Sequence, residues 1–124
     1  IESRGLGDVY KRQVLVKNLK LIKLNLLGPS LVKNKLFPDQ ANITFVEVLK
    51  KSKVKVLFWE RGGGHTLACG SGTCATAFVL NHNDFVSSKI EVVTERSVLK
   101  TEIKDKMVFL QGPAELVYQS SINI

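Results

Sequence analysis

The sequence lacks any apolar run near the roughly 18 residues needed to span a membrane as a helix. Its N-terminal stretch also lacks the basic-then-apolar pattern of a secretory signal, which leads to the expectation of a cytoplasmic protein. Cysteine is scarce. Cys69 and Cys74 are too few for a disulfide framework of the kind small secreted domains use. Their C-x4-C spacing is not a usual zinc pair, and no His pair completes it, since His65 and His82 stand 17 residues apart. No metal site is therefore expected. Trp59 and the two tyrosines are scattered, without the aromatic–basic interleaving of a single-strand binding platform. There is no block of like charge, no internal repeat, no low-complexity segment and no linker.

What is present is the composition of one ordinary globular domain. Hydrophobic residues make up 44% and charged residues 23% of 124. A chain of this length buries roughly two thirds of the surface it would expose when unfolded, enough for a core. The net charge of +7 is unevenly spread: residues 11–55 carry +9, and the segments on either side carry −1 each. The lysines stand singly among apolar residues, as on a solvated face. Such a face also draws anions toward a nearby cleft. A small basic nucleic-acid-binding module is the rival reading, and it predicts steeply salt-dependent binding.

Residues 1–13 mix charge and glycine without a period of 2 or 3.6, and are set aside as an anomalous, non-native leader. Residues 14–124 form the expected domain. VLVK reads as a short strand. Leu24, Leu27 and Leu31 have helical spacing, with Pro29 awkward among them. KLFPDQAN reads as a loop, and ITFVEVLK and KVKVLFWE as an antiparallel hairpin. A glycine-rich segment, RGGGHTLACGSG, leads into a helix over about Ser71 to Asn81, its apolar side supplied by Cys74, Ala77, Phe78 and Leu80. KIEVVT, SVLKTEIK, MVFLQ and AELVYQ follow as four strands. The fold class is α+β, with one helix after a glycine-rich loop and mainly antiparallel strands.

The informative stretch is WERGGGHTLACGSGTCA, residues 59–75. The first amides of a helix have no internal acceptor, and the helix dipole adds positive potential there. Gly70, Ser71 and Gly72 would thus form a seat for a carboxylate, which the glycines let approach closely. Cys69 stands directly before that seat, where such a field makes a thiol a usable acid or base. A lone cysteine is more often a small buried hydrophobe; the glycine frame argues otherwise for Cys69. Cys74, inside the helix, is read as core. Asn42 alone could be a turn residue after Pro38, and Glu60 and Arg61 alone an exposed strand-end ion pair.

This stretch resembles the second-cysteine motif of the diaminopimelate epimerase family, E-R-G, glycine-rich, then T-x-A-C-G-[ST]-G-x-C-A. LLGPSLVKNKLFPDQANITFVEVL resembles the family segment ending in L-F-P followed by an Asn, and QGPAELVYQ its closing G-P-A strand. The likeness spans about residues 14–118. It implies a curved sheet or half-barrel around a central helix, and a reaction without pyridoxal phosphate or metal. It also implies interconversion of LL- and meso-diaminopimelate for lysine and peptidoglycan biosynthesis. One cysteine removes the α-proton and a second returns a proton on the opposite face. The resemblance places Cys69 in that pair and Glu60 beside the catalysis. It gives Asn42, Glu60, Arg61, Gly70 and Ser71 to the substrate, a small dicarboxylic amino acid. Arg61 would take the distal carboxylate, and Gly70 and Ser71 the α-carboxylate. Histidine- and proline-type racemases of the same fold are the alternative. Family members often have Glu where this chain has His65, read here as loop surface. The first cysteine and the G-N-P-H segment are missing, so the chain is read as a C-terminal half without its N-terminal domain and inactive alone. A homodimer is a further expectation.

Overall fold

The computed structural model describes residues 2–4, 10–33 and 40–124. Its strands are β1 (Glu2–Arg4), β2 (Tyr10–Leu15), β3 (Ala41–Lys50), β4 (Lys53–Glu60), β5 (Gly64–Thr66), β6 (Lys89–Val93), β7 (Val98–Lys104) and β8 (Met107–Gln111). Its α-helices are α1 (Leu24–Val32) and α2 (Gly70–His82). The strands form one open, mixed sheet in the order β1-β2-β3-β4-β6-β7-β8, with β5 also on β4. Pairing is mainly antiparallel; β2–β3 and β4–β6 are parallel. The α2 helix touches β1, β2 and β3 as well as β7 and β8. A helix can reach both ends of the strand order only if the sheet curls round it, as the half-barrel expectation requires.

Alternation in β3 and β4 sends side chains to two covered faces. Val46, Val54, Val56 and Phe58 pack with Ala77 and Leu80 of α2 and with Ile90 and Val92 of β6. Ile43 and Phe45 pack on the opposite face with Leu19 and Val32, joined by Leu31, Leu57 and Trp59. Because both faces are covered, Ile43 to Val46 form an unbroken buried run. Among the described residues that run, rather than α2, is the most continuously buried part.

Several sequence expectations change. The strand expected from Val14 begins at Tyr10, as β2, and pairs with β3 from Tyr10↔Ala41 onward. The α1 helix runs through Pro29, which removes one backbone donor from the helix ladder. Tertiary packing offsets that loss, for Gly28 is buried against Trp59. A Cβ at position 28 would sit 2.3 Å from Trp59 Cδ2. Much of KLFPDQAN, its residues 35–39, lies outside the described residues. The buried side of α2 carries Thr73 and Thr76 with Ala77, Val79 and Leu80, while Phe78 is 40% exposed and stacks on His82. AELVYQ forms no strand: residues 112–124 lie outside regular structure, with Leu116, Val117 and Tyr118 exposed. A strand exists only where a neighbour supplies hydrogen bonds, and this segment pairs with no described strand.

Candidate active site around Cys69

The site is assembled where β4 ends and α2 begins. Cys69 is the N-cap of α2, with extended backbone at φ −149° and ψ 108°. Its sulfur does what a Ser or Asp oxygen does at this position. The Gly72 amide donates to Cys69 Sγ at 3.3 Å. Ser71 Oγ lies 3.6 Å from the same sulfur. The Cys69 carbonyl accepts from the Thr73 amide at 2.9 Å and from the Thr73 hydroxyl at 2.8 Å. The thiol is half-buried, with one side against the α2 core. Gly70 and Ser71 are exposed in the first helical turn. Gly72 leaves no spare room, since a Cβ there would meet Cys69 Sγ at 3.1 Å and Phe58 Cε1 at 3.2 Å.

Asn42, Glu60 and Arg61 are drawn together by the hairpin. The register pairs Ile43 with Trp59, which sets Asn42 level with Glu60. Asn42 Oδ1 accepts from the Arg61 amide at 2.8 Å. Arg61 itself is exposed in the turn after β4. Glu60 Oε1 accepts from the Thr66 hydroxyl at 3.0 Å. Strand alternation puts Asn42, Glu60 and Thr66 on the sheet face that Phe58 presents to α2. Gly62 and Gly64, at φ +76° and +67°, make the tight turn that sends the chain back along β4 toward Cys69. Asn42, Glu60 and Arg61 thus sit where β3 begins and β4 ends, and Cys69, Gly70 and Ser71 at the start of the helix that follows β5. A cavity of about 420 Å³ lies elsewhere, against β6, β7 and β8, with Lys50, Lys89, Lys100 and Phe109 in its lining.

Cys74 is half-buried rather than sealed in the core. Burial pushes its thiol above the ordinary value of 9.0, and the neighbouring Cys69 adds to the rise. Sequence reasoning missed three supports: Thr66 on Glu60, Thr73 on the Cys69 carbonyl, and a bond between His65 and Glu95. Thr73 could have been found, since a hydroxyl four residues past an N-cap can reach back to its carbonyl. His65 reads from the sequence as loop surface, and nothing in the local sequence points to a partner 30 residues on. Among the described residues no group of His, Cys, Asp or Glu could hold a metal ion. Among the described residues no helix is long and apolar enough to cross a membrane.

At the level of fold, this arrangement is shared with solved structures of PhzF-family phenazine biosynthesis proteins. The Enterococcus faecalis protein superposes with a TM-score of 0.62 at 15% identity, over 78% of this chain and 35% of that one. A Clostridium difficile protein gives 0.61 at 19% identity, over 81% and 36%. Sequence makes the assignment narrower: the profile of the diaminopimelate epimerase family matches residues 5–117, and the chain belongs to that family. The diaminopimelate epimerase of Phocaeicola vulgatus is 36% identical over 113 residues, 90% of this chain and 40% of that protein. That of Carboxydothermus hydrogenoformans is 37% identical over 107 residues, 86% and 39%. That of Methanococcus aeolicus is 33% identical over 99 residues, 80% and 34%. The chain therefore spans about a third to two fifths of the length of these relatives.

Proposed function

We propose that this chain supplies one half of the active site of a diaminopimelate epimerase, with Cys69 as one of two acid–base thiols. The observation that carries the reading is the seat of Cys69. It is a solvent-reached N-cap sulfur accepting the Gly72 amide, in the motif that the family likeness covers. In one direction the Cys69 thiolate takes the α-proton, leaving the electron pair on the α-carbon beside the carboxylate. A thiol from the part of the protein that this chain does not span then gives a proton to the opposite face. The stereocentre inverts, and the two sulfurs have exchanged protonation states. In the reverse direction Cys69 is the donor.

The remaining residues take positioning and binding roles in this reading. Amides of Gly70 and Ser71 at the helix start hold the α-carboxylate, where helix partial charge favours an anion. The Arg61 guanidinium takes the distal carboxylate in a planar, two-point contact. Asn42 fixes the Arg61 backbone, and Glu60, held by Thr66, borders the substrate. The chemistry needs neither pyridoxal phosphate nor metal, and it belongs to lysine and peptidoglycan biosynthesis in the cytoplasm. The test is α-proton exchange of diaminopimelate in D₂O. The chain alone should give negligible exchange. Exchange should return on mixing with a separately expressed N-terminal part, be lost with Cys69→Ala, and be kept with Cys74→Ala. Full activity of the chain alone, or loss only with Cys74→Ala, overturns the reading.

A further inference from the structure

One edge of β4 is shared by two strands placed end to end. The β6 strand runs parallel to it over Lys53↔Glu91, Val54↔Val92 and Lys55↔Val93. The β5 strand runs antiparallel to it over Phe58↔Thr66, Trp59↔His65 and Glu60↔Gly64. Glu95 lies two residues past the end of β6, in the turn to β7, while His65 is level with Trp59. His65 shares the face of Trp59, and Glu95 reaches it from the far side of the break between β5 and β6. Their side chains meet there, Nε2 to Oε1 at 2.5 Å. The α2 helix lies on the other face, against Phe58. Residues 67–69 must therefore leave the sheet through that break to deliver Cys69.

Glu95 is presented by a fixed turn. Thr94 Oγ1 accepts from the Arg96 and Ser97 amides at 3.2 and 3.0 Å, and donates to the Ser97 carbonyl at 2.9 Å. His65, by contrast, sits in a three-residue strand that lies off the main strand order. The firm turn thus steadies the weak strand. We propose that His65 and Glu95 are a positioning pair, whose bond spans the β5–β6 break and fixes the segment that carries Cys69 to the start of α2. The proposal rests on the acid–base reading of Cys69.

The test is amide hydrogen exchange of this chain, read by mass on peptides covering residues 64–72, with β3 peptides as the internal reference. His65→Ala and Glu95→Ala should each speed exchange in 64–72 by about two- to five-fold, the scale of an exposed ion pair. The β3 peptides should not change, and the double variant should add little to either single one. His65→Gln, which can still donate to Glu95, should stay near the parent. His65→Glu sets two carboxylates against each other and should exchange faster than His65→Ala. Adding Glu95→Lys to it should restore slow exchange. Unchanged exchange in His65→Ala, additive single effects, an equal rise in β3, or no restoration by the swapped pair overturns the proposal. The readout is independent of turnover. A clamp seen here with full activity in Cys69→Ala would leave the pair standing and remove the thiol's role, and the converse pattern would do the opposite.

Discussion

Gly72→Ala is the substitution that sets helix propensity most directly against the packing of the thiol. Position 72 is buried in the first turn of α2, where Ala is intrinsically favoured over Gly by about 1 kcal/mol. Against that gain, the new methyl would lie 3.1 Å from Cys69 Sγ and 3.2 Å from Phe58 Cε1. Phe58 is 2% exposed and locked in the core, so the sulfur is the group free to yield. Overpacking of this kind costs about 1–3 kcal/mol. The net expectation is a loss of about 0–2 kcal/mol in urea unfolding. The sulfur, pushed aside, loses the Gly72 amide at 3.3 Å. A hydrogen bond worth about 0.5–1.5 kcal/mol corresponds to about a two- to ten-fold change in rate. Iodoacetamide labelling at fixed pH, resolved by peptide mass, should therefore be slower at Cys69 by that factor and unchanged at Cys74. A gain of the full 1 kcal/mol with unaltered Cys69 labelling would refute the argument, because it would mean that the methyl meets neither sulfur nor ring.

Thr73→Val removes a fully buried hydroxyl that donates to the Cys69 carbonyl at 2.8 Å. It should cost about 1–2 kcal/mol in urea unfolding, with Thr73→Ser close to the parent. The raised Cys74 thiol means that the folded chain keeps this proton where the unfolded chain releases it. Stability should be level below the ordinary value of 9.0, fall as pH climbs past it, and level again beyond the raised value. Melting temperatures against pH should lose this component in Cys74→Ala. Gly28→Ala should lower the melting temperature and shift Trp59 fluorescence, since ring atoms of Trp59 lie 2.3–2.7 Å from the new carbon and the half-buried ring must move off the core it packs against.

The parts of the fold legible in the sequence were those fixed by local pattern. KVKVLFWE alternates cleanly and became β4, and the glycine-rich segment announced the helix that follows Cys69, though not that its sulfur caps it. What escaped depended on partners distant in the chain. The Pro29 helix survives because Trp59 packs on Gly28. AELVYQ has a strand's composition but no described strand to pair with. The three residues of β5 are a strand only because β4 lies beside them. In the site, the sequence placed Cys69, Gly70 and Ser71 at a helix start and Glu60 and Arg61 at a strand end. It could not show that Asn42 fastens the Arg61 backbone, because the β3–β4 register decides that contact. The His65–Glu95 contact was hidden for a similar reason, since it follows from two strands sharing one edge of β4.

That shared edge also sets an order of events in folding. The β3–β4, β6–β7 and β7–β8 hairpins close over short turns and can form early. The parallel β4–β6 ladder joins residues separated by the glycine-rich segment and all of α2, so it must wait for that long connection to be organised. Cys69 lies on that connection, and its side chain gains its packing against the core shared by β4, β6 and α2 when the crossover settles. The thiol is thus a built-in clock for the slowest closure. Pulse labelling of Cys69 during refolding should report a step later than the one reported by β7–β8 backbone protection.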